Sequence, residues 1–285
     1  MKSWIVFSIL CAMCKGIYEC SKKKAIEENS IYEVLAWFSL ISFLLLALTT
    51  KIVWKIELVY IFFILIKSLF VVGSWILGMY ALKRMSISLY SIFSLLKIVF
   101  SVILGIVFLG EEITITTLIG IIIVLFGMFL VNNISNNKEK KDVSLKIILI
   151  LILSCLFAAI SGFIDKKILV YVTNKQLQFW FLLFLSVIYW GILIVRNKGI
   201  KKIKIGNIDK NYWIPIMALF FVVGDKFWFM SNEDPFSKLT LMTIINQSAI
   251  IEIIILGKFF FKEDKIIKKL LCSILIIFGV VLALM

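Results

Sequence analysis

The sequence contains no histidine, only two prolines and five scattered cysteines in 285 residues. Without histidine, catalytic triads that use an imidazole base are excluded, and zinc or haem ligation has few side chains to use. The sequence also lacks the glycine-rich patterns G-x-x-x-x-G-K-[ST] and G-x-G-x-x-G, which hold nucleotide phosphates. We therefore predict no cofactor and no metal site, and we do not expect an enzyme.

Charged residues are also scarce, at 17% of the chain, whereas 62% of the residues are hydrophobic and the mean hydropathy is +1.08. Soluble domains carry about 25% charged and about 45–50% apolar residues. An apolar excess this large needs lipid as its solvent, so we predict an integral membrane protein. We expect the membrane to be the bacterial cytoplasmic (inner) membrane. No basic segment interleaved with aromatics accompanies the net charge of +14, so no nucleic-acid partner is expected.

Apolar runs separated by polar residues recur along the whole chain, and most have about the length of a membrane-spanning helix. We predict an all-α polytopic membrane protein with ten transmembrane helices. Long polar connections occur at Asn132–Asp142 and Arg196–Asn211, and the first leaves five runs on either side. The ten runs cover residues 3–21, 33–50, 57–82, 86–109, 113–131, 145–172, 177–195, 212–232, 236–261 and 266–285.

The two halves of the chain resemble each other. This predicts a first five-helix repeat at 1–131, a polar linker at 132–144 and a second five-helix repeat at 145–285. Because each half has an odd number of helices, the second half is inverted relative to the first. We expect the acidic pairs to cap the N-termini of the fifth and tenth helices. The aligned residues are Glu111 with Glu263, Glu112 with Asp264, Gly127 with Gly279 and Glu19 with Asp165.

This acidic pair, repeated at the start of the last helix of each half and followed by glycines, resembles the EamA-like ten-helix branch of the drug/metabolite transporter (DMT) superfamily. The residues that carry the resemblance are Gly110, Glu111, Glu112, Gly120 and Gly127, with Glu263, Asp264 and Gly279 as the second copy. Cys272 stands where the first copy has Gly120. The resemblance implies a secondary carrier, working without ATP, that moves a small metabolite, amino acid or drug through a central cavity between the halves. We expect export of a small polar or charged metabolite, such as an amino acid or organic amine, by alternating access between the inverted repeats.

The orientation of the chain stays open at this stage. The surplus of Lys and Arg on the side of the central linker predicts that this linker is cytoplasmic and that both termini lie outside. The resemblance implies the opposite, with both termini in the cytoplasm.

Charged residues inside the apolar runs are the strongest indication of a site. A charge at the bilayer centre costs about 2.5–3.5 kcal/mol on insertion scales, so it must be paired, hydrated or near an interface. We predict that such charges, with polar and aromatic neighbours, line a substrate cavity between the halves. The predicted substrate-binding residues are Lys67, Trp75, Ser94, Lys97, Asp225, Lys226, Trp228, Asn246, Gln247 and Glu252.

Two carboxyl groups, Glu19 and Asp165, are candidates for proton coupling because a carboxyl group in a low-dielectric environment can exchange a proton with a substrate cycle. Equally, both lie near helix ends, where they would only reach interfacial water. Lys15 lies four residues before Glu19, on the same helix face, so these two side chains are expected to neutralise each other.

Three alternatives remain open from the sequence. The buried charges can form internal pairs that only hold helices together. The protein can be a flippase for a lipid-linked metabolite that gathers anionic head groups at its basic rim, or a membrane scaffold that transports nothing. The expected partners are a small-molecule substrate and the lipid bilayer, with the protein as a monomer or homodimer.

Overall fold

The computed structural model of the chain describes residues 3–49, 55–109, 114–134, 144–199, 211–232, 242 and 245–283. Within these ranges the backbone forms helices and no strand. In chain order the helices are α1 (Ser3–Glu28), α2 (Ile31–Thr49), α3 (Leu58–Leu82), α4 (Ile87–Phe93), α5 (Leu96–Leu109), α6 (Ile115–Ile134), α7 (Leu145–Ile168), α8 (Asn174–Arg196), α9 (Trp213–Asn232), α10 (Ala249–Phe261) and α11 (Ile266–Ala283).

The helices form ten segments because α4 and α5 together make one apolar stretch, Ile87–Phe108. In the described ranges seven segments are long and apolar enough to cross a membrane: α1, α2, α3, α4 with α5, α7, α8 and α9. α6 contributes a shorter apolar stretch, and α10 and α11 complete the set. The protein is therefore an all-α polytopic integral membrane protein, as predicted.

Helices from the two halves pack against each other in a repeated pattern. α1 packs against α9, α3 against α7, α2 against α8 and α6 against α11. Each of the first five segments corresponds to the segment five places later, so that α1 corresponds to α7 and α3 to α9. Exchanging corresponding segments converts the α1–α9 pair into the α7–α3 pair. The α2–α8 and α6–α11 pairs are unchanged by this exchange. Such an exchange is the relation expected of two structural repeats joined by a pseudo-two-fold axis.

Buried serines join the two exchangeable helix pairs. Between α1 and α9, the Ser8 and Ser231 hydroxyl oxygens are 2.7 Å apart. Between α3 and α7, Ser74 Oγ donates to the Ser154 carbonyl at 2.9 Å, and Ser154 Oγ donates to the Ser74 carbonyl at 2.7 Å. Small hydroxyl side chains allow close helix approach in lipid and bond across the interface, so they explain why these pairs form.

Glycines allow α6 and α11 to pack closely. A Cβ atom on Gly279 of α11 would lie 2.9 Å from the Gly120 carbonyl oxygen of α6, and one on Gly127 would overlap Ile276. The glycine positions that the sequence pairs therefore lie at one helix interface. Small residues at a helix crossing bring the backbones together.

Glu263 corrects the prediction that the second acidic pair caps the tenth helix. The residue lies between α10 and α11, is buried, and accepts a hydrogen bond from the Ile87 backbone N–H at 2.6 Å. It also accepts from the Ser88 hydroxyl and from Lys269 Nζ, the latter at 3.1 Å. Glu263 thus caps α4, a helix of the other half. The first acidic pair, with Gly110, Glu111 and Glu112, lies outside the described residues.

Candidate functional site

A cavity of about 380 Å³ lies between the two halves of the protein. The first half contributes side chains from α1, α3, α4 and α5, and the second half contributes α7, α9 and Asn246, just before α10. The three first-half segments that line the cavity correspond to the three second-half segments that line it. Its polar lining includes Lys15, Glu19, Lys22, Ser74, Ser94, Lys97, Ser154, Asp225 and Asn246.

Two interruptions of helical structure lie at the cavity wall. Between α4 and α5 the chain turns at Ser94 and Leu95, and Ser94 Oγ bonds to the Ser91 carbonyl at 2.6 Å. In the second half the chain turns at Ser248, two residues after Asn246. Irregular backbone at membrane depth is tolerated where it lines a cavity. The alignment that pairs Glu111 with Glu263 also pairs Ser94 with Asn246, and both side chains line the same space.

Lys22 and Glu19 form an ion pair on the α1 side of the cavity. The Lys22 ammonium also lies over two aromatic rings, 5.0 Å from the Tyr18 centroid and 5.1 Å from the Tyr90 centroid. The ion pair of Glu19 is thus with Lys22 rather than with Lys15, which lies within electrostatic range of Glu19. Glu19 carries one of the two carboxylates that line the cavity, and its charge is balanced by Lys22.

Lys15 and Lys97 leave a surplus of positive charge in the cavity. Lys15 lies one turn before Glu19 on α1, and Lys97 lies in the first turn of α5. The two ammonium groups are within electrostatic range of each other. In the described part of the chain, neither lysine forms an ion pair with a carboxylate. The Asn246 side-chain oxygen is likewise buried without a hydrogen-bond partner.

The second lining carboxylate, Asp225 of α9, is held by an amide rather than by a lysine. Gln178 of α8 donates a hydrogen bond from Nε2 to Asp225 Oδ2 at 3.2 Å. Asp225 also lies within electrostatic range of an ion pair between Lys67 of α3 and Asp165 of α7. A series of polar groups therefore leads from the cavity to the α3–α7 interface.

Aromatic side chains form the apolar part of the wall. The Trp75 ring is stacked on Tyr189, with centroids 6.4 Å apart, and it meets the Phe221 ring edge-on at 6.0 Å. Phe221 in turn contacts Tyr18, with centroids 5.7 Å apart. Trp228 lines the cavity one turn after Gly224 and Asp225 on α9. These rings offer a flat apolar surface beside the charged groups.

Six of the ten predicted substrate-binding residues line this cavity, together with the proton-coupling candidate Glu19. The six are Trp75, Ser94, Lys97, Asp225, Trp228 and Asn246. The structure does not place Lys67, Lys226, Gln247, Glu252 or Asp165 in the lining. Lys67 and Asp165 are instead paired with each other, and Lys67 lies 4.2 Å from the Phe181 ring centroid. Gln247 is buried beside Asn246, and Lys226 follows Asp225 on α9.

Glu252 lies against a different face of α1. Its carboxylate occupies the space where a side chain at Gly16 would be, because a Cβ on that glycine would overlap both carboxylate oxygens. Gly16 and the cavity-lining Lys15 are consecutive on α1, so their side-chain positions lie about 100° apart around the helix. The expected convergence of Glu252 with Lys97 and Asp225 in one cavity is therefore not observed.

Several lining residues are missing from the sequence-based site, and a helical period connects those on α1. Cys11, Lys15, Tyr18 and Lys22 recur at spacings of four, three and four, which places them on one helix face. Extending the face from Glu19 by this period indicates Lys15 and Lys22 as neighbours. Tyr90 and Cys155 gave no comparable signal, because their roles depend on how α4 and α7 pack.

Residues 2–133 match the EamA-like transporter family. No curated protein matches the sequence.

Proposed function

We propose that the protein is a secondary-active transporter of a small polar or charged metabolite, such as an amino acid or organic amine. Residues 2–133, which match the EamA-like transporter family, support this proposal. The protein is an integral membrane protein, and we place it in the bacterial cytoplasmic membrane with export as its direction. The proposed repeats are residues 1–131 and 145–285, joined by the linker 132–144.

The cavity between the halves is the single observation that carries the proposal. It is lined by matching segments of both halves and contains charged side chains from α1, α5 and α9. Its volume of about 380 Å³ falls in the lower part of the range of about 300–1,000 Å³ that is typical of small-molecule sites. A packing network that only held helices together would not need such a space.

The way the halves pack supports alternating access as the proposed mechanism. Rocking of one inverted repeat against the other opens a central site first to one side and then to the other. In this proposal the α1–α9 and α3–α7 pairs exchange their roles between the two states, since the segment exchange converts one pair into the other. The interruptions beside Ser94 and Asn246 lie where the moving segments meet the solute.

Proton coupling is the finer part of the proposal, with Glu19 and Asp165 as the groups that exchange protons. Each carboxylate is ion-paired, Glu19 with Lys22 and Asp165 with Lys67. Protonation of either carboxylate would remove its charge and release the paired lysine. Because the Lys67–Asp165 pair joins α3 to α7, its release would loosen an interface that must rearrange during transport.

Counterflow in proteoliposomes tests the proposed function. A thermal-shift screen of the purified protein against amino acids, amines, sugars and nucleobases selects solutes that stabilise it, because a ligand of the folded state raises the melting temperature. Wild-type proteoliposomes should then exchange the selected solute. Asp225→Asn should reduce the exchange rate at least tenfold, whereas Lys24→Gln, at a position on α1 outside the cavity lining, should keep it.

A flippase is the second candidate, favoured by a basic groove at one end of α3. This groove is lined by Tyr80, Lys83, Arg84 and Lys146, and the Arg84 guanidinium lies 3.6 Å from the Tyr80 ring centroid. Such a surface suits anionic head groups. Scrambling of a fluorescent anionic lipid without exchange of any soluble solute would favour the flippase. If the protein neither scrambles lipid nor exchanges a solute, the proposed transport function is overturned and the membrane-scaffold alternative is favoured.

A further inference from the structure

The charge balance of the cavity specifies what its solute must carry. Five charged side chains face the space: Lys15, Lys22, Lys97, Glu19 and Asp225. Glu19 is neutralised by Lys22, and Asp225 accepts a hydrogen bond from Gln178. Two ammonium groups, on Lys15 and Lys97, therefore face the cavity without an ion-paired carboxylate in the described part of the chain, although Lys15 lies within electrostatic range of Glu19.

Leaving two ammonium groups in a low-dielectric space is unfavourable unless an anion or water compensates them. Lys15 and Lys97 also repel each other across the cavity, since they lie within electrostatic range. A solute with a negative group between them would relieve both costs. An organic cation without a negative group would add to the surplus and leave both costs in place.

The backbone at the cavity adds only a weak preference for negative charge, since the N–H groups of Lys97 and Ile98 at the start of α5 already donate to the carbonyls of Ser94 and Leu95. α5 begins at Leu96, directly after the turn at Ser94, so its N-terminal end lies at the cavity wall. The positive end of a helix favours an anion. The carbonyl oxygens of Phe93 and Ser94, at the end of α4, accept hydrogen bonds from the Cys155 thiol at 3.8 and 3.9 Å.

We infer that the transported solute carries a carboxylate group, which binds between Lys15 and Lys97 with its apolar part against Trp75 and Phe221. This inference rests on the proposed transport function and narrows its substrate class from amino acids or amines to carboxylate-bearing solutes. Asp225 lies in the same cavity and offers a partner for an ammonium group, so α-amino carboxylates satisfy both ends. Simple amines lack the group that the two lysines require.

Matched ligand series test the inference. L-phenylalanine, L-leucine and L-alanine are each compared with three analogues: the amide, the decarboxylated amine, and the deaminated acid. Binding is measured by thermal shift on the full-length wild-type protein, and transport by counterflow in proteoliposomes. In at least one series we expect the acid or amino acid to bind, and we expect the amide and the amine of that series to bind at least tenfold more weakly.

Variants of Lys15 and Lys97 test whether the solute carboxylate binds between these two side chains. Lys15→Gln and Lys97→Gln should each weaken binding of the carboxylate ligand at least tenfold, and Lys97→Arg should restore part of it. Lys24→Gln, on the same helix as Lys15 but outside the cavity lining, is the matched control and should bind as the wild type does. Circular dichroism and elution volume confirm that each variant is folded.

The outcomes separate this inference from the proposed function. Binding and transport of an amine or amide, with no carboxylate ligand bound, would overturn the inference and leave transport standing. Equal binding of acid and amide, or unchanged affinity in both lysine variants, would also overturn it. Failure of every solute to exchange would overturn the proposed function itself, whatever the binding series shows.

Discussion

Removing the Glu263 carboxylate should destabilise the protein strongly, although this residue lies in a short connection between two helices. Glu263 is 8% exposed and is the acceptor for the Ile87 backbone N–H, the Ser88 hydroxyl and Lys269 Nζ. Glu263→Ala removes all three contacts at once. It leaves the buried N–H at the start of α4 without its side-chain acceptor, and Lys269, 0% exposed, without this carboxylate.

The expected magnitude follows from the burial of the pair. Removing one partner of a buried ion pair costs about 3–5 kcal/mol, and an exposed pair contributes about 0–1 kcal/mol. We therefore expect Glu263→Ala to lower the free energy of unfolding by about 3–5 kcal/mol. Glu27→Ala is the matched control, because Glu27 forms an exposed pair with Lys24 at 3.1 Å. Its effect should stay below about 1 kcal/mol.

Reversible unfolding in mixed detergent micelles, followed by tryptophan fluorescence or circular dichroism, gives the free energy of each variant. A cycle with Lys269→Met then isolates the coupling between Glu263 and Lys269, which should exceed about 1 kcal/mol. Equal stability of Glu263→Ala and Glu27→Ala would refute the reasoning, since it would mean that the cap on α4 and its buried pair contribute nothing.

Two further perturbations have expected outcomes. Gly279→Ala should lower stability, because the new Cβ would lie 2.9 Å from the Gly120 carbonyl oxygen. Gly162→Ala is the control: nothing lies within 4 Å of its new Cβ, so stability should be unchanged or rise by up to about 1 kcal/mol. Melting temperatures in detergent measure both effects, and equal effects would contradict the close α6–α11 packing. Asp165→Asn should destabilise the protein, because it leaves the Lys67 ammonium buried without its carboxylate. The double variant Asp165→Asn with Lys67→Met should regain most of the lost stability. A double variant less stable than Asp165→Asn would contradict this account.

The helical segments could be predicted from the sequence because lipid imposes one strong rule. Each crossing needs a long apolar run, and charges can only separate or interrupt such runs. The same rule indicated Lys97 and Asp225, whose charges need a polar environment inside the membrane, and the internal alignment indicated Ser94 and Asn246. All four side chains line the cavity.

The contacts that could not be predicted are those between residues far apart in the chain. Lys67 and Asp165 are separated by 98 positions, and only the packing of α3 against α7 brings them together. Glu263 caps α4 because the α10–α11 connection reaches the other half. Glu252 was expected to meet Lys97 and Asp225, but depth in a run does not tell which way a side chain points, and its carboxylate lies against Gly16.

Access to the cavity from both sides of the membrane is the central claim, and the native cysteines allow a direct measurement. Variants that retain only Cys155, which lines the cavity, or only Cys272, which lies on α11 outside it, are reconstituted with one known orientation. A small membrane-impermeant thiosulfonate reagent is then added outside or trapped inside. We predict that Cys155 is modified from both sides and that a bound solute slows the reaction, while Cys272 reacts far more slowly. Modification of Cys155 from one side only, with no effect of solute, would contradict the account.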